Sequence, residues 1–293
     1  MVIDYSVTGK TKLLGLIGNP VEHSISPQLH NSLSKILGLD LIYVPLRVDK
    51  EDLETLVKAL KATEFVGFNV TVPYKREIMK FLDGNTKEAI LMGSVNTVKK
   101  IDGRLYGYNT DGEGFLRAFK EAAGTDFKGK KVVMLGAGGA ARPIAVKIAL
   151  EGAEKISLVN RTTQKSVELA EVVNENIAEI VQVYNFEDKT LKLAFEESDI
   201  IINTTSVGMS PDIDNSLISD TSYFNGQIVY DIIYNPVKTK FLADAESRGC
   251  KIINGLGMLF YQGINAYEIW TGVKISEEIL RDLYNSFITI LNN

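Results

Sequence analysis

The stretch FNVTVPYKRE (68–77) places a lysine, Lys75, just after an apolar run that Pro73 interrupts. A lysine ammonium is protonated at neutral pH, so it can stabilise a developing alkoxide and donate a proton to it. An isolated surface lysine usually does no more than contact solvent. Whether Lys75 does chemistry therefore depends on the polar residues that the fold brings to it.

Polar clusters follow the apolar runs in the first third of the chain. Open α/β sheets bind ligands at the carboxyl ends of their strands, so residues in such clusters are candidate site residues. The clusters are GNPVEHSISPQLHN (18–31), NVTVPYK (69–75), GSVNT (93–97) and NTDG (109–112).

A second candidate site follows the apolar run KVVML, where the chain reads GAGGAARPIAVKIAL. Its glycines match the G-x-G-x-x-A pattern of a dinucleotide-binding fold, in which a strand turns tightly into a helix. They let backbone N–H groups approach a pyrophosphate at the positive end of that helix. A strand before the loop, a helix after it and a second strand about 20 residues on support this interpretation. We expect the cofactor to contact Gly136, Ala137, Gly138, Gly139 and Ala140.

The end of the second strand indicates which dinucleotide is bound. An NAD site usually has an acid there for the ribose 2′-hydroxyl, whereas this chain has Asn160, Arg161 and Thr162. A guanidinium suits a 2′-phosphate and can stack on adenine. We therefore predict NADP(H), with Lys165 as a second cation. The alternative is a solvent-exposed arginine without a ligand.

Composition limits the functional classes. The 293 residues are 45% hydrophobic and 24% charged, typical of a soluble globular protein long enough for two domains. A net charge of −5 without a basic patch argues against nucleic-acid and anionic-membrane partners. The first residues carry an aspartate and no long apolar core, so we expect no secretory signal, and the apolar runs are far shorter than the ~18 residues of a membrane span. One cysteine and two histidines argue against a metal site and favour the reducing cytoplasm.

The elements that must position these residues alternate along the chain. In the first third, strand-like and amphipathic segments follow each other in a βαβαβ order, which favours parallel strands covered by helices. The segments are 12–18, 27–38, 40–48, 50–62 and 65–72.

The pattern then changes to a hairpin. Asp102 and Gly103 form a turn pair that predicts a hairpin within 93–109. A helix is predicted to start near Asp111. Residues 124–130 are predicted to connect this helix to the next strand.

A second alternation spans about 130 residues, the size of one doubly wound domain. Its strands are predicted at 131–136, 155–160, 199–205, 227–233 and 250–254.

Two helices are expected at 258–272 and 275–291, with at least the last packed on the first lobe. The predicted fold is therefore a two-lobed α/β protein. Residues 1–110 plus 263–293 form an α/β substrate domain, and residues 111–262 form a doubly wound, Rossmann-type NADP domain.

The motifs HSxSPxxHN, NVTxPxK, VNT, NTDG, GAGGAxR, NRT and GLGM…Q occur in this order between about residues 14 and 270. In this set and order the chain resembles the shikimate dehydrogenase family, which includes shikimate/quinate dehydrogenases. The resemblance implies an NADP-dependent enzyme that reversibly reduces 3-dehydroshikimate to shikimate by hydride transfer. This reaction is a step in aromatic amino acid biosynthesis through chorismate.

The same resemblance implies roles for individual polar residues. Ser24 and Ser26 correspond to hydroxyls that hold the substrate carboxylate, and hydroxyl donors can do this without a cation. Thr71, Asn96 and Gln262 correspond to groups that orient the ring hydroxyls. Each has a structural alternative, since the serines could cap a helix, the asparagine could satisfy a turn and the glutamine could lie on a helix surface.

Lys75 and Asp111 correspond to the catalytic pair and also contact substrate. We expect them to act as one coupled unit, without assigning the proton to either. Asp111 could instead cap the helix that follows it. Tyr234 and Gly255 correspond to residues that line the cleft near the nicotinamide, where the tyrosine also contacts substrate, and Ile232 would be an apolar neighbour of that ring.

Rival functions remain open at this point. A nucleotide-type methyltransferase would want an acid where this chain has Arg161. A non-catalytic NADP-binding sensor would not need Lys75 or Asp111. Quinate as substrate, or NAD use, is not excluded by any motif. The oligomeric state is not specified, and a homodimer is one possible assembly.

Overall fold

Two compact units make up residues 7–291, the part of the chain described by the structure, which is a computed structural model. Unit 1 holds the described residues up to Thr110 and from Gly263 onward, and unit 2 is Asp111–Gln262. Within residues 7–291, no helix is long and apolar enough to cross a membrane. Each unit has its own sheet.

The sheet of unit 1 combines parallel and antiparallel strands. Its strands are Lys12–Gly18 (β1), Leu41–Arg47 (β2), Phe65–Val70 (β3), Gly84–Asn85 (β4), Thr97–Ile101 (β5) and Arg104–Tyr108 (β6). Within the described residues their order is β2-β1-β3-β5-β6-β4. β1 pairs in parallel with β2 and β3, as the βαβαβ order predicts, while β5 pairs antiparallel with β3 and β6.

The predicted hairpin is confirmed as β5 and β6. Asp102 has a φ of 48° and Gly103 a φ of 74°. Positive φ at both central residues is the requirement of the two-residue hairpin turn whose twist matches that of the strands.

Helices cover the sheet of unit 1 and close its core. They are Ser26–Ile36 (α1), Leu53–Ala62 (α2), Lys87–Met92 (α3), part of Leu256–Thr271 (α9) and Glu277–Leu291 (α10). The predicted helix 50–62 is divided, because Lys50–Asp52 forms a 3-10 turn before α2 begins. Phe68, Tyr74 and Val98 are at most 2% exposed and belong to the core.

Unit 2 contains an entirely parallel sheet. Its strands are Lys131–Leu135 (β7), Lys155–Val159 (β8), Val181–Tyr184 (β9), Ile200–Asn203 (β10), Ile228–Asp231 (β11) and Lys251–Ile253 (β12). In the described part of the chain the order is β12-β11-β10-β7-β8-β9. This is the strand order of a doubly wound dinucleotide fold. After β7, strands β8 and β9 are added on one side, and the next strand, β10, is placed on the other side of β7. The predicted α/β class is therefore confirmed.

The remaining helices belong to unit 2. They are Asp111–Ala123 (α4), Ala141–Leu150 (α5), Thr163–Asn176 (α6), Leu191–Glu196 (α7), Lys240–Glu246 (α8) and the first part of α9. α4 begins where the sequence predicts a helix. β9 is not predicted from the sequence, because VQVY is only four residues long. In the structure only its last residue is buried.

Candidate active site

The carboxyl ends of β1 and β3 meet at one edge of the unit 1 sheet. The N–H of Thr71 donates to the carbonyl of Ile17 at 2.8 Å, and the N–H of Asn19 donates to the carbonyl of Val72 at 3.1 Å. Gly18 permits this approach, since a Cβ there would collide with the Thr71 methyl group. The loops after the two strands are therefore held together.

Backbone hydrogen bonds bring Lys75 and Asn96 to the same edge. The carbonyl of Lys75 accepts from the N–H of Val95 at 2.7 Å, and the carbonyl of Asn96 accepts from the N–H of Val70 at 2.9 Å. Lys75 is half-buried and Asn96 is 2% exposed. Thr71, Lys75 and Asn96 are thus parts of one hydrogen-bonded edge.

Ser24 and Ser26 lie in the loop after β1 and at the start of α1, and both are half-buried. The N-cap of α1 is Ile25, and its side chain forms no capping hydrogen bond. The hydroxyl of Ser24 accepts from the N–H of Ser26 at 3.3 Å. Neither serine occupies the N-cap position itself, and the Ser24 hydroxyl receives an N–H of the first helical residue, so part of the structural alternative applies to Ser24.

A buried polar network lies behind this edge; its Asn69 belongs to the polar cluster 69–75, whereas its Tyr43 is not identified from the sequence. The Tyr43 hydroxyl donates to Asn69 Oδ1 at 2.9 Å. Asn69 Nδ2 donates to the carbonyl of Asn96 at 2.9 Å and to Thr97 Oγ1 at 3.1 Å. Burial raises the pKa of Tyr43, which keeps the phenol a hydrogen-bond donor. The available signal was an asparagine inside the apolar strand FVGFNV.

Asn96 also fixes the chain that leads to Asp111. Asn96 Oδ1 accepts from the N–H of Thr110 at 2.8 Å, and Asn96 Nδ2 donates to Thr110 Oγ1 at 2.9 Å. Asn109 follows β6 and connects it to the segment that precedes β5, since its Nδ2 donates to the carbonyl of Ser94 at 3.0 Å. Asp111 follows Thr110 directly and is the first residue of α4.

In unit 2, the start of α4 packs against α9. A Cβ on Gly114 would lie 2.6 Å from the backbone nitrogen of Gln262, so glycine allows the two helices to approach closely. Gln262 is half-buried, and its Nε2 donates to the carbonyl of Leu259 at 2.9 Å. Gln262 therefore lies beside the first turn of the helix that Asp111 begins.

The glycine-rich loop joins β7 to α5. Gly136 has a φ of 101°, and a Cβ there would lie 2.5 Å from the Thr205 methyl, so the protein's own packing requires glycine. Gly138 and Gly139 are exposed, and a Cβ on either would meet nothing within 4 Å. Their open surroundings beside the start of a ten-residue helix fit a group that approaches the backbone from outside, as a pyrophosphate does.

The segment after β8 presents cations. Arg161, Thr162 and Lys165 are exposed, and Asn160 Nδ2 holds the turn by donating to the carbonyl of Thr162 at 2.8 Å. In the described part of the chain, no carboxylate pairs with Arg161 or Lys165. Both charges are thus available to an anionic ligand.

Ile232 and Tyr234 follow β11, at the same edge as the glycine-rich loop. Ile232 is half-buried and Tyr234 is 39% exposed. The N–H of Gly255 donates to the carbonyl of Ile233 at 3.0 Å, and a Cβ on Gly255 would collide with the Ile232 backbone. Glycine at 255 therefore lets the start of α9 contact the segment after β11.

Asp231, the last residue of β11, is a buried carboxylate that was not identified from the sequence. It is 0% exposed, and burial raises its pKa from 3.8 to about 6, against the opposing effect of its hydrogen bonds. An aspartate that ends the apolar run IVYD was the available signal.

His30, one of the chain's two histidines, is a core residue. It is 1% exposed in unit 1, and burial lowers its pKa to about 3. Among residues 7–291, no group of three or more His, Cys, Asp and Glu side chains is placed to hold a metal ion.

Three family models match the chain. They are the shikimate dehydrogenase substrate binding domain at residues 16–98, shikimate / quinate 5-dehydrogenase at 118–232 and the shikimate 5′-dehydrogenase C-terminal domain at 255–283.

A full-length relative is similar in sequence. The shikimate dehydrogenase (NADP(+)) of Alkaliphilus oremlandii is 44% identical over 281 residues, which are 95% of this chain and 98% of that protein.

Two solved structures are similar in fold. The shikimate 5-dehydrogenase of Listeria monocytogenes in complex with shikimate and NAD has a TM-score of 0.91 and 39% identity, covering 95% of this chain and 98% of its own. A shikimate dehydrogenase in complex with NADP+ has a TM-score of 0.87 and 41% identity, covering 98% and 99%.

Proposed function

This chain belongs to the shikimate dehydrogenase family, and we propose that it catalyses the reversible, NADP-dependent reduction of 3-dehydroshikimate to shikimate. The observation that carries the proposal is the polar edge of unit 1. There, backbone hydrogen bonds join Thr71 to Ile17, Lys75 to Val95 and Asn96 to Val70. The two serines lie in the loop after β1 and at the start of α1. This reaction serves aromatic amino acid biosynthesis.

The substrate carboxylate is assigned to Ser24 and Ser26. Both hydroxyls are half-buried, and neither lies at the N-cap of α1. Hydroxyl donors bind a carboxylate by hydrogen bonds, and partial burial strengthens such bonds. Thr71, Asn96 and Gln262 are assigned to the ring hydroxyls, whose positions a rigid set of donors and acceptors can distinguish.

Lys75 and Asp111 are assigned to proton transfer. Reduction of the ketone leaves an alkoxide, which an ammonium can stabilise and protonate. Oxidation of shikimate requires the opposite transfer, in which a carboxylate can take part.

The cofactor is assigned to unit 2. NADPH, when bound, supplies the hydride. Residues 136–140 can receive the pyrophosphate, while Asn160, Arg161, Thr162 and Lys165 can receive the adenosine 2′-phosphate. Ile232 and Gly255 are assigned to the nicotinamide side, and Tyr234 to the substrate beside it.

Quinate is the second candidate substrate, because the matched family model covers shikimate and quinate dehydrogenases. Cofactor breadth is part of the same question, since one similar structure holds NAD and another NADP+. The cytoplasmic location, inferred from one cysteine in 293 residues, also belongs to the proposal.

The deciding experiment measures absorbance of the reduced nicotinamide with shikimate or quinate, each with NADP+ or NAD+. We expect the highest kcat/KM for shikimate with NADP+. A higher value for quinate would make the second candidate the function. Inactivity in all four combinations would refute both and favour an NADP-binding sensor.

A further inference from the structure

Asp231 is a buried charged residue in unit 2 to which the proposed reaction gives no role. It ends β11, which lies beside β10 in the sheet, and its side chain is 0% exposed. A buried carboxylate is costly unless donors surround it. The donors that surround Asp231 therefore indicate what it holds in place.

Three hydrogen bonds reach the Asp231 carboxylate. Oδ1 accepts from Asn203 Nδ2 at 3.0 Å and from the N–H of Ile233 at 3.1 Å. Oδ2 accepts from the Thr239 hydroxyl at 2.6 Å. The two N–H groups can only donate, so these contacts need an acceptor at Oδ1.

These bonds fix both ends of the segment 232–239, here called the 232–239 loop. Ile233 lies at its start, and Thr239 at its end is also the N-cap of α8, where its Oγ1 accepts from the N–H of Leu242. The N–H of Ile232 donates to the carbonyl of Asn203 at 3.1 Å. One carboxylate thus holds the loop that carries Ile232 and Tyr234.

The same network reaches the glycine-rich loop. Asn203 Oδ1 accepts from the N–H of Thr205 at 3.0 Å and from its hydroxyl at 2.8 Å. The Thr205 methyl covers Gly136, at the carboxyl end of β7. Asp231 therefore links the ends of β11, β10 and β7. Arg161, after β8, is outside these hydrogen bonds.

We propose that Asp231 is a positioning residue for the nicotinamide half of the cofactor, acting through the 232–239 loop. The inference rests on the proposed cofactor site and deepens it. Because Arg161 and Lys165 follow a different strand, the adenosine half binds independently of this carboxylate. Loss of the Asp231 acceptor should weaken the complete cofactor much more than a ligand that carries only the adenosine half.

Calorimetric titration of the full-length protein with NADPH and with adenosine 2′-monophosphate, which lacks the phosphate that would reach the glycine-rich loop, tests this difference. For Asp231→Ala we expect the Kd of NADPH to rise about tenfold and that of the monophosphate to change less than about twofold. Asp231→Asn should restore most of the NADPH affinity, because its Oδ1 can accept both N–H donors and its Nδ2 can donate to Thr239.

The matched control is Asp199→Asn. Asp199 belongs to the same unit, is exposed and accepts from the N–H of Lys131 at the opposite end of the sheet. Both Kd values should stay within about twofold of wild type. A change equal to that of Asp231→Ala would overturn the proposal.

A second pair of variants, at Thr239, tests the proposal if the Asp231→Ala protein does not fold. Thr239→Val removes the donor to Oδ2 at nearly constant volume, and Thr239→Ser keeps it. We expect selective loss of NADPH affinity in the valine variant and recovery in the serine variant. Equal weakening of both ligands, or unchanged NADPH binding in folded variants of both positions, would overturn the proposal.

The outcomes separate this proposal from the proposed function. If the wild-type protein binds NADPH but does not oxidise shikimate, the proposed enzymatic function is refuted. The role of Asp231 is then still decided by comparing the Kd of NADPH with the Kd of the adenosine-half ligand. A wild-type protein that does not bind NADPH overturns both.

Discussion

The stability of unit 2 should depend on pH through Asp231, with a sign that follows from its surroundings. Burial raises the pKa of this carboxyl from 3.8 to about 6, while Thr239, Ile233 and Asn203 act in the opposite direction. The native state therefore binds the proton more tightly than the unfolded chain. The stabilisation by protonation is fully present below about pH 4 and is lost as the pH rises through about 6.

The magnitude follows from the same values. The interval from 3.8 to about 6 corresponds to about 3 kcal/mol in the free energy of unfolding. Asp231→Asn removes the titration at nearly constant size. The free energy of unfolding of the wild type minus that of the variant should therefore fall by about 3 kcal/mol between about pH 4 and pH 7.

Urea unfolding of both proteins, followed by far-ultraviolet circular dichroism across this pH range, measures the difference. Circular dichroism is preferred because Trp270, the chain's one tryptophan, belongs to unit 1. Other carboxylates titrate in both proteins and cancel in the comparison. A difference that stays constant, or that rises with pH, would refute the burial argument.

Four further outcomes are expected. Lys75→Ala should lower kcat about 100-fold or more with little change in KM, and steady-state kinetics with an unchanged kcat but a raised KM would make Lys75 a binding residue. Ser24→Ala should raise the KM for shikimate about tenfold, and an unchanged KM would remove it from the carboxylate site. Arg161→Asp should shift the kcat/KM preference from NADP+ toward NAD+, and a retained preference contradicts the assignment. Tyr43→Phe leaves the Oδ1 of Asn69 without its phenolic donor and should lower the free energy of urea unfolding by about 1–2 kcal/mol, whereas wild-type stability would show that this bond contributes nothing.

The sequence by itself determined the elements whose signals are local. Asp102 and Gly103 predict the hairpin because few residues adopt positive φ, and Gly136 marks the strand-to-helix turn for the same reason. The parallel strands β1, β2 and β3 of unit 1, and those of unit 2 apart from β9, are visible as apolar runs separated by amphipathic segments. Most element positions follow from these patterns within one or two residues, because periodicity is a property of neighbours along the chain.

The glycine-rich loop shows where local information ends. The pattern G-x-G-x-x-A marks Gly136 and Gly138 alike. In the structure, Gly136 is required by the Thr205 methyl of a distant strand end, whereas Gly138 faces open space. Glycine is therefore needed at the two positions for different reasons. The difference becomes visible only when β7 packs beside β10, whose following segment carries Thr205.

Only the tertiary structure decided which polar residues are buried. Asn69 and Tyr43 are 26 positions apart in the sequence. Their side chains form a hydrogen bond only because β3 and β2 lie on the two sides of β1. Asp231 and Asn203 are 28 positions apart and meet because β10 and β11 are neighbours. Burial and its effect on pKa depend on these long-range pairings, because desolvation is caused by atoms that the rest of the chain supplies.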